Sequence, residues 1–333
     1  MTQPFDKVAV IGGGAWGTAL AVVAARAGRR AILWARDAET VAALNETARN
    51  PRYLPGIRLE PAFAASTDLA AVADADLVLL VVPAQATRAM VAELATRLRP
   101  GTPVVSAAKG FERGTLDLMT EVIAEVAPGL PPAVLSGPSF ATDVAAGLPT
   151  AVTVAAADIA LAEKIARSLS SSTFRPYASD DPTGVQVGGA LKNVLAIACG
   201  IVVGRGLGAS AQAALVARGF AELSRLGAAL GAKPDTLMGL SGLGDLVLTA
   251  SSRQSRNFSL GIAIGEGGSI PDLIAGGKLA EGAATADVAV RLARTHGVDV
   301  PISEAVADVL AGRASLRDAI DRLMSRPLKR EGR

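Results

Sequence analysis

The glycines at positions 12, 14 and 17 constrain this chain more than any other feature. They follow a short β-branched run, Val8 to Ile11, and open a helix-like stretch, Ala15 to Ala27, which Gly28 ends. A strand, a tight glycine turn and a helix in that order form the entry of a βαβ dinucleotide-binding unit. Gly12 permits the turn, Gly14 lets a pyrophosphate approach the backbone, and Gly17 lets helix and strand pack closely. The helix N-terminus is then left to bind the phosphates. The plainer alternative is a glycine turn in a parallel sheet with no ligand.

The second strand, Ala31 to Ala35, refines this. Where NAD-specific enzymes usually carry Asp or Glu for the ribose 2′-hydroxyl, this chain reads Trp34-Ala35-Arg36. A guanidinium pairs with a 2′-phosphate and stacks on adenine, so NADP is favoured. NAD stays acceptable if Asp37 turns inward, and an ordinary surface arginine is the plainer reading of Arg36.

Further strands are expected at Leu77 to Val82, Val104 to Ala107, Val134 to Leu135, Ala151 to Val154 and Phe174 to Tyr177. Helices fall at Glu39 to Ala48, Ala86 to Leu98, Leu116 to Val126 and Ala160 to Leu169. After Asp180-Asp181-Pro182, alanine, leucine and glycine recur at helical spacing to the end. The fold class is α/β: an N-terminal Rossmann-type doubly wound sheet with a C-terminal all-helical domain. The boundary is set at 184, giving residues 1–184 to dinucleotide binding and 185–333 to substrate and catalysis.

Composition removes several classes. Thirty-three basic against 31 acidic residues give a formal charge of +2, which points to no nucleic acid. The longest clean apolar run, Val194 to Gly204, is short of the ~18–20 residues a membrane span needs. Met1 to Lys7 carries acidic Asp6 and no basic leader pattern, so a cytoplasmic protein is expected. The single Cys199, among apolar neighbours, reads as an inert core thiol, and no metal site is expected. Arg326 to Arg333 reads as a solvated basic tail. Apolar helices in the second half permit a homodimer.

Acid/base chemistry falls to lysine. The only histidine, His296, precedes a glycine at a helix end, a capping or surface setting. Lys192 lies in Val187-Gly-Gly-Ala-Leu-Lys-Asn-Val-Leu-Ala, an apolar helix where desolvation would lower its pKa. Lys109, in Ser106-Ala-Ala-Lys-Gly-Phe, follows a strand at the carboxyl end of the sheet, where α/β folds bind ligands. Taken singly, each also reads as a snorkelling side chain. Asp245 alone reads as a helix N-cap, and Ser255-Arg-Asn alone as a polar loop.

With those residues in view the sequence resembles the bacterial-type NAD(P)-dependent glycerol-3-phosphate dehydrogenases along nearly its whole length. The resemblance rests on Ile11-Gly-Gly-Gly-Ala-Trp-Gly-Thr-Ala-Leu, Tyr53-Leu-Pro-Gly-Ile, Ala108-Lys-Gly-Phe, Leu135-Ser-Gly-Pro-Ser-Phe-Ala, Ala190-Leu-Lys-Asn-Val-Leu-Ala, Gly239-Leu-Ser-Gly-Leu-Gly-Asp-Leu and Ser255-Arg-Asn. It implies reversible hydride transfer between NAD(P)H and C2 of dihydroxyacetone phosphate, giving sn-glycerol 3-phosphate for phospholipid synthesis. It also implies that Lys192 donates and accepts the proton. Lys109, Gly137, Ser139, Asp245, Ser255, Arg256 and Asn257 would contact substrate together with Lys192. Gly12, Gly14, Ala15, Trp16, Gly17, Arg36, Lys109, Ala141, Arg256, Leu279 and Glu281 would contact the cofactor. The family often has serine where this chain has Ala15, which removes a side-chain contact and leaves backbone ones. The rival readings are a β-hydroxyacid or 6-phosphogluconate type dehydrogenase and a redox-sensing NAD(P)-binding regulator.

Overall fold

A computed structural model of the chain describes residues 3–275 and 281–327. They form two compact units: residues up to Gly189 with Ala232–Asp245, and Ala190–Gly231 with the residues from Leu246 on.

The first unit opens with β1 (Lys7–Ile11), α1 (Ala15–Arg26), β2 (Arg30–Trp34) and α2 (Ala38–Thr47). A small hairpin follows, β3 (Arg49–Asn50) and β4 (Leu54–Arg58), then β5 (Ala64–Ser66), β6 (Leu77–Leu80), α3 (Thr87–Ala95), β7 (Val104–Ser106) and α4 (Met119–Val126). The chain continues through β8 (Pro132–Ser136), α5 (Ala141–Ala145), β9 (Thr150–Ala155), α6 (Ile159–Leu169) and β10 (Phe174–Ser179). Eight strands make one sheet in the order β10-β9-β8-β7-β6-β1-β2-β5. Alternate residues of β1 serve opposite layers. Val8 and Val10 join the core that includes Leu20 and Val23 of α1 and Ile165 of α6, while Ala9 and Ile11 join Val91, Leu94 and Ile123 of α3 and α4. Burial on both faces is why β1 and β6 read as unbroken apolar runs.

The sheet and its connections depart from expectation in three places. The sheet is mixed: β9 pairs antiparallel with β8, so β9 and β10 run against the other six strands. An antiparallel neighbour needs no crossover helix, and α5 between them has only five residues. The helix expected from Leu116 begins at Met119, because Leu116 sits at φ 72 and the Glu121 carboxylate caps the Leu118 N–H at 2.8 Å. The β3–β4 hairpin and β5 were unexpected. Pro55 and Gly56 within β4 mask it as a turn.

α7 (Pro182–Gly204) begins in the first unit and ends in the second. Its 23 residues are long and apolar enough to cross a membrane, so the expected short run underestimates it; most of its apolar window is instead buried in protein. After α8 (Ala209–Ala229) the chain returns to the first unit for α9 (Pro234–Met238) and a π turn at Leu240–Gly244. The buried Asp181 carboxylate holds this return. It accepts from the Gly184 N–H at the start of α7 and from the Lys233 N–H, each at 2.8 Å. A cut at 184 therefore falls inside α7 and misses the returning segment, two elements tied by a contact 52 residues apart in sequence.

α10 (Asp245–Thr249), α11 (Arg256–Gly265), α12 (Ile270–Ala275), α13 (Glu281–Thr295), α14 (Pro301–Leu310) and α15 (Leu316–Met324) complete the chain. Among the described residues no strand follows β10. Inside the second unit α7 and α11 touch backbone to backbone through small residues. A Cβ on Gly200 would lie 2.1 Å from the Phe258 carbonyl oxygen, and one on Gly261 2.1 Å from that of Ile197. The buried Glu222 of α8 caps α14, accepting from the N–H groups of Ile302 (2.6 Å) and Ser303 (3.1 Å).

Candidate active site

The glycine turn has the geometry a dinucleotide needs. Gly12 sits at φ +128, and a Cβ there would lie 2.3 Å from the Val81 carbonyl oxygen. A Cβ on Gly17 would lie 1.8 Å from the Gly12 oxygen, so only glycine lets α1 approach β1 this closely. Gly14, the N-cap of α1, has no side-chain cap and open space around its missing Cβ. The N–H groups of the first helical turn are left to an anion. Ala15 and Trp16 begin the helix, and the indole Nε1 of Trp16 is buried without a hydrogen-bond partner among the described residues. Open glycine, uncapped helix end and orphaned indole N–H together fit a dinucleotide.

Arg36 stands exposed just beyond β2. Asp37 does not turn inward. It is the N-cap of α2, held by the Thr40 N–H and hydroxyl and paired with Arg52 at 3.5 Å. The Thr40 hydroxyl bond holds its carboxyl below the usual range.

A second cluster forms at the carboxyl end of the sheet. Lys109, beyond β7, donates to the Asp245 carboxylate at 2.7 Å, with side chains 15% and 1% exposed. Lys109 also approaches the Gly137 carbonyl at 3.4 Å, which accepts from the Ser139 hydroxyl at 3.0 Å. Four of the anticipated residues, 109, 137, 139 and 245, are thus brought together from segments up to 136 positions apart. Gly137, at φ +151, leaves no room for a side chain against Val152. Ala141 opens α5, which packs on α1.

The second unit holds the others. Lys192 on α7 is 6% exposed, and its ammonium donates to the Thr249 hydroxyl at 2.6 Å. Ser255 caps α11 by accepting from the Phe258 N–H at 3.2 Å, leaving its own hydroxyl hydrogen to donate. Arg256, the first residue of α11, is exposed. The Asn257 amide donates to Asn193 Oδ1 (2.9 Å), and its carbonyl accepts from the Gly282 N–H (3.0 Å), so Asn257 fastens α11 to α7 and α13. Glu281 begins α13 beside that anchor. Leu279 lies outside the described residues, as do positions 328–333 of the basic tail.

Several residues went unforeseen: Thr249, Asn193, Asn50 and Ser136. The Ser136 hydroxyl, ending β8, is buried and unpartnered among the described residues, 2.7 Å from where a Gly189 Cβ would be. Asn193 was detectable as a polar residue beside Lys192 on an apolar helix. The others depend on contacts distant in sequence. His296 is exposed at the end of α13, where Gly297 at φ +64 reverses the chain. Burial pushes the Cys199 thiol up to about 12, an inert group.

A glycine turn shaped for pyrophosphate, on a sheet whose carboxyl end gathers buried charged side chains, defines a protein of the dinucleotide-binding class. Comparison with known proteins narrows it. The family model described as NAD-dependent glycerol-3-phosphate dehydrogenase N-terminus matches residues 7–162, and the corresponding C-terminus model matches 181–321. The chain is similar to the Azorhizobium caulinodans protein named glycerol-3-phosphate dehydrogenase (NAD(P)+), 60% identical over 98% of this chain and 99% of that one. A protein of that name from Caulobacter vibrioides is 56% identical over the same shares. The crystal structure of glycerol-3-phosphate dehydrogenase from Coxiella burnetii superposes with a TM-score of 0.91 at 38% identity, covering 96% of this chain and 99% of that one. The chain belongs to the NAD-dependent glycerol-3-phosphate dehydrogenase family.

Proposed function

We propose that this chain reduces dihydroxyacetone phosphate reversibly to sn-glycerol 3-phosphate in the cytoplasm, with NADPH preferred over NADH. The carrying observation is family membership across both halves, with relatives whose names give substrate and cofactor class. The nicotinamide cofactor, when bound, supplies or accepts the hydride. The first unit holds it through Gly12, Gly14, Ala15, Trp16, Gly17, Arg36 and Ala141, with Lys109, Arg256, Leu279 and Glu281 completing its contacts. The second unit carries the acid/base group.

Lys192 donates its proton to the C2 oxygen during reduction and takes it back during oxidation, while the Thr249 hydroxyl orients the ammonium. The Asp245 carboxylate aims Lys109 at the substrate, with the Gly137 carbonyl and Ser139 beside them. The phosphate is held by the N-terminus of α11, the Arg256 guanidinium, the Ser255 hydroxyl hydrogen and the remaining amide hydrogen of Asn257. Exposed Arg36 favours a 2′-phosphate because Asp37, which would repel it, is engaged by Thr40 and Arg52.

Initial rates of NADPH and NADH oxidation with dihydroxyacetone phosphate test this. Oxidation with dihydroxyacetone phosphate but not with 3-oxoacids supports the reading. Failure with every phosphorylated ketone refutes it.

A further inference from the structure

We propose that Asn50 is a positioning residue for the dinucleotide, fixing the peptide plane between Gly13 and Gly14 so that the Gly14 N–H faces the pyrophosphate. This rests on the first unit being an NAD(P) site.

Asn50 ends β3 and is fully buried. Its Nδ2 donates to the Gly13 carbonyl at 3.0 Å and to the Thr18 hydroxyl at 2.8 Å, and its Oδ1 accepts from the Tyr53 N–H at 3.3 Å. A carbonyl only accepts and a backbone N–H only donates, so these partners admit one orientation of the amide. The Gly13 carbonyl lies ahead of the first helical bond of α1, from the Thr18 N–H to the Gly14 oxygen (2.9 Å), so it needs a partner from elsewhere. Asn50 supplies it across 37 positions of sequence.

In a trans peptide the C=O and the following N–H point in opposite directions. Holding the Gly13 oxygen toward the β3–β4 hairpin therefore turns the Gly14 N–H the other way, and the space around Gly14 is open. Gly13 and Gly14 flank a peptide plane whose rotation no side chain of its own restricts. Were it to flip, the carbonyl oxygen would meet the anion and attraction would become repulsion. The bond to Thr18 joins the same amide to the first turn of α1, so turn and helix end are held as one piece.

The test is fluorescence titration of the full chain with NADPH, without substrate, for Asn50→Asp and Asn50→Ala. Aspartate keeps the shape but sets a carboxylate oxygen against the Gly13 oxygen. The Kd for NADPH should rise roughly 10–100-fold in Asn50→Asp and about tenfold in Asn50→Ala. The KM for NADPH should follow, while kcat at saturating NADPH and the KM for dihydroxyacetone phosphate stay within about twofold. Thr18→Ser, which keeps the acceptor, should bind NADPH normally, and Thr18→Val should weaken it. Unchanged NADPH affinity in the Asn50 variants overturns the assignment, as does equal damage to kcat and both KM values, the mark of a merely structural role. If Asn50→Asp does not fold, Asn50→Ala and Thr18→Val decide. If the unsubstituted chain binds no NADPH, the cofactor reading itself falls; if it binds and the variants match it, only the role of Asn50 falls.

Discussion

In the first unit the glycines that matter sit in a turn, and in the second they sit where two helices cross. Gly12 and Gly17 let α1 close on β1, since a Cβ on either would meet a carbonyl oxygen, while Gly14 between them faces open space, so there the tight turn bares N–H groups to a ligand. Gly200 and Gly204 on α7 meet Gly261 and Gly265 on α11 at distances no Cβ tolerates, so there the absence makes room for another backbone. That crossing lets Asn193 bond Asn257 and fixes the end of α11 that carries Ser255 and Arg256 relative to the helix that carries Lys192. Close backbone approach through glycine thus shapes a binding turn in one unit and locks a helix crossing in the other, because the first leaves open space beside Gly14 and the second is filled by a facing helix.

The contrast breaks most visibly at Lys192. Lys192→Ala should cut turnover by roughly 10² or more while NADPH titration of the protein is unchanged; near-normal turnover would remove it as the acid/base group. Next come the two kinds of glycine. Gly17→Ala should weaken NADPH binding by roughly 100-fold, because its Cβ would lie 1.8 Å from the Gly12 oxygen. Gly261→Ala should leave NADPH binding in place but cost about 1–3 kcal/mol of stability and lower kcat, read by thermal unfolding and steady-state rates. If both variants lose the same property, the distinction between the units is wrong.

Arg36→Ala should lower the preference for NADPH over NADH by about tenfold in kcat/KM, leaving NADH kinetics nearly as they were. The last expected effect concerns pH and belongs to the second unit alone. Burial outweighs the donors around Glu222 and pushes its carboxyl up from 4.5 to about 7. The folded protein therefore holds that proton more tightly than the unfolded chain. The stability it contributes is complete below pH 4.5 and is lost as pH rises through about 7. The free energy of unfolding should fall by about 2–3 kcal/mol between about pH 5 and pH 8, and Glu222→Gln should flatten that fall. An equally steep fall in the variant would assign the pH dependence to other groups.

Much of this molecule is written locally. The strand-glycine-helix order at residues 8–27, the apolar run at 77–82 and the loss of β-rich texture after 182 each reflect short-range periodicity and steric rules, so they specify the α/β class and the helical second half. Lys192 stood out as a charge on an apolar helix for the same reason. The tertiary structure alone decided that Asp245 pairs with Lys109, that residues 232–245 return to the first unit under Asp181, that β9 and β10 reverse, and that Asn50 grips the glycine turn. Those outcomes depend on contacts between residues tens of positions apart. Local propensity is blind to them, because a buried polar group accepts whichever partner the fold brings within reach.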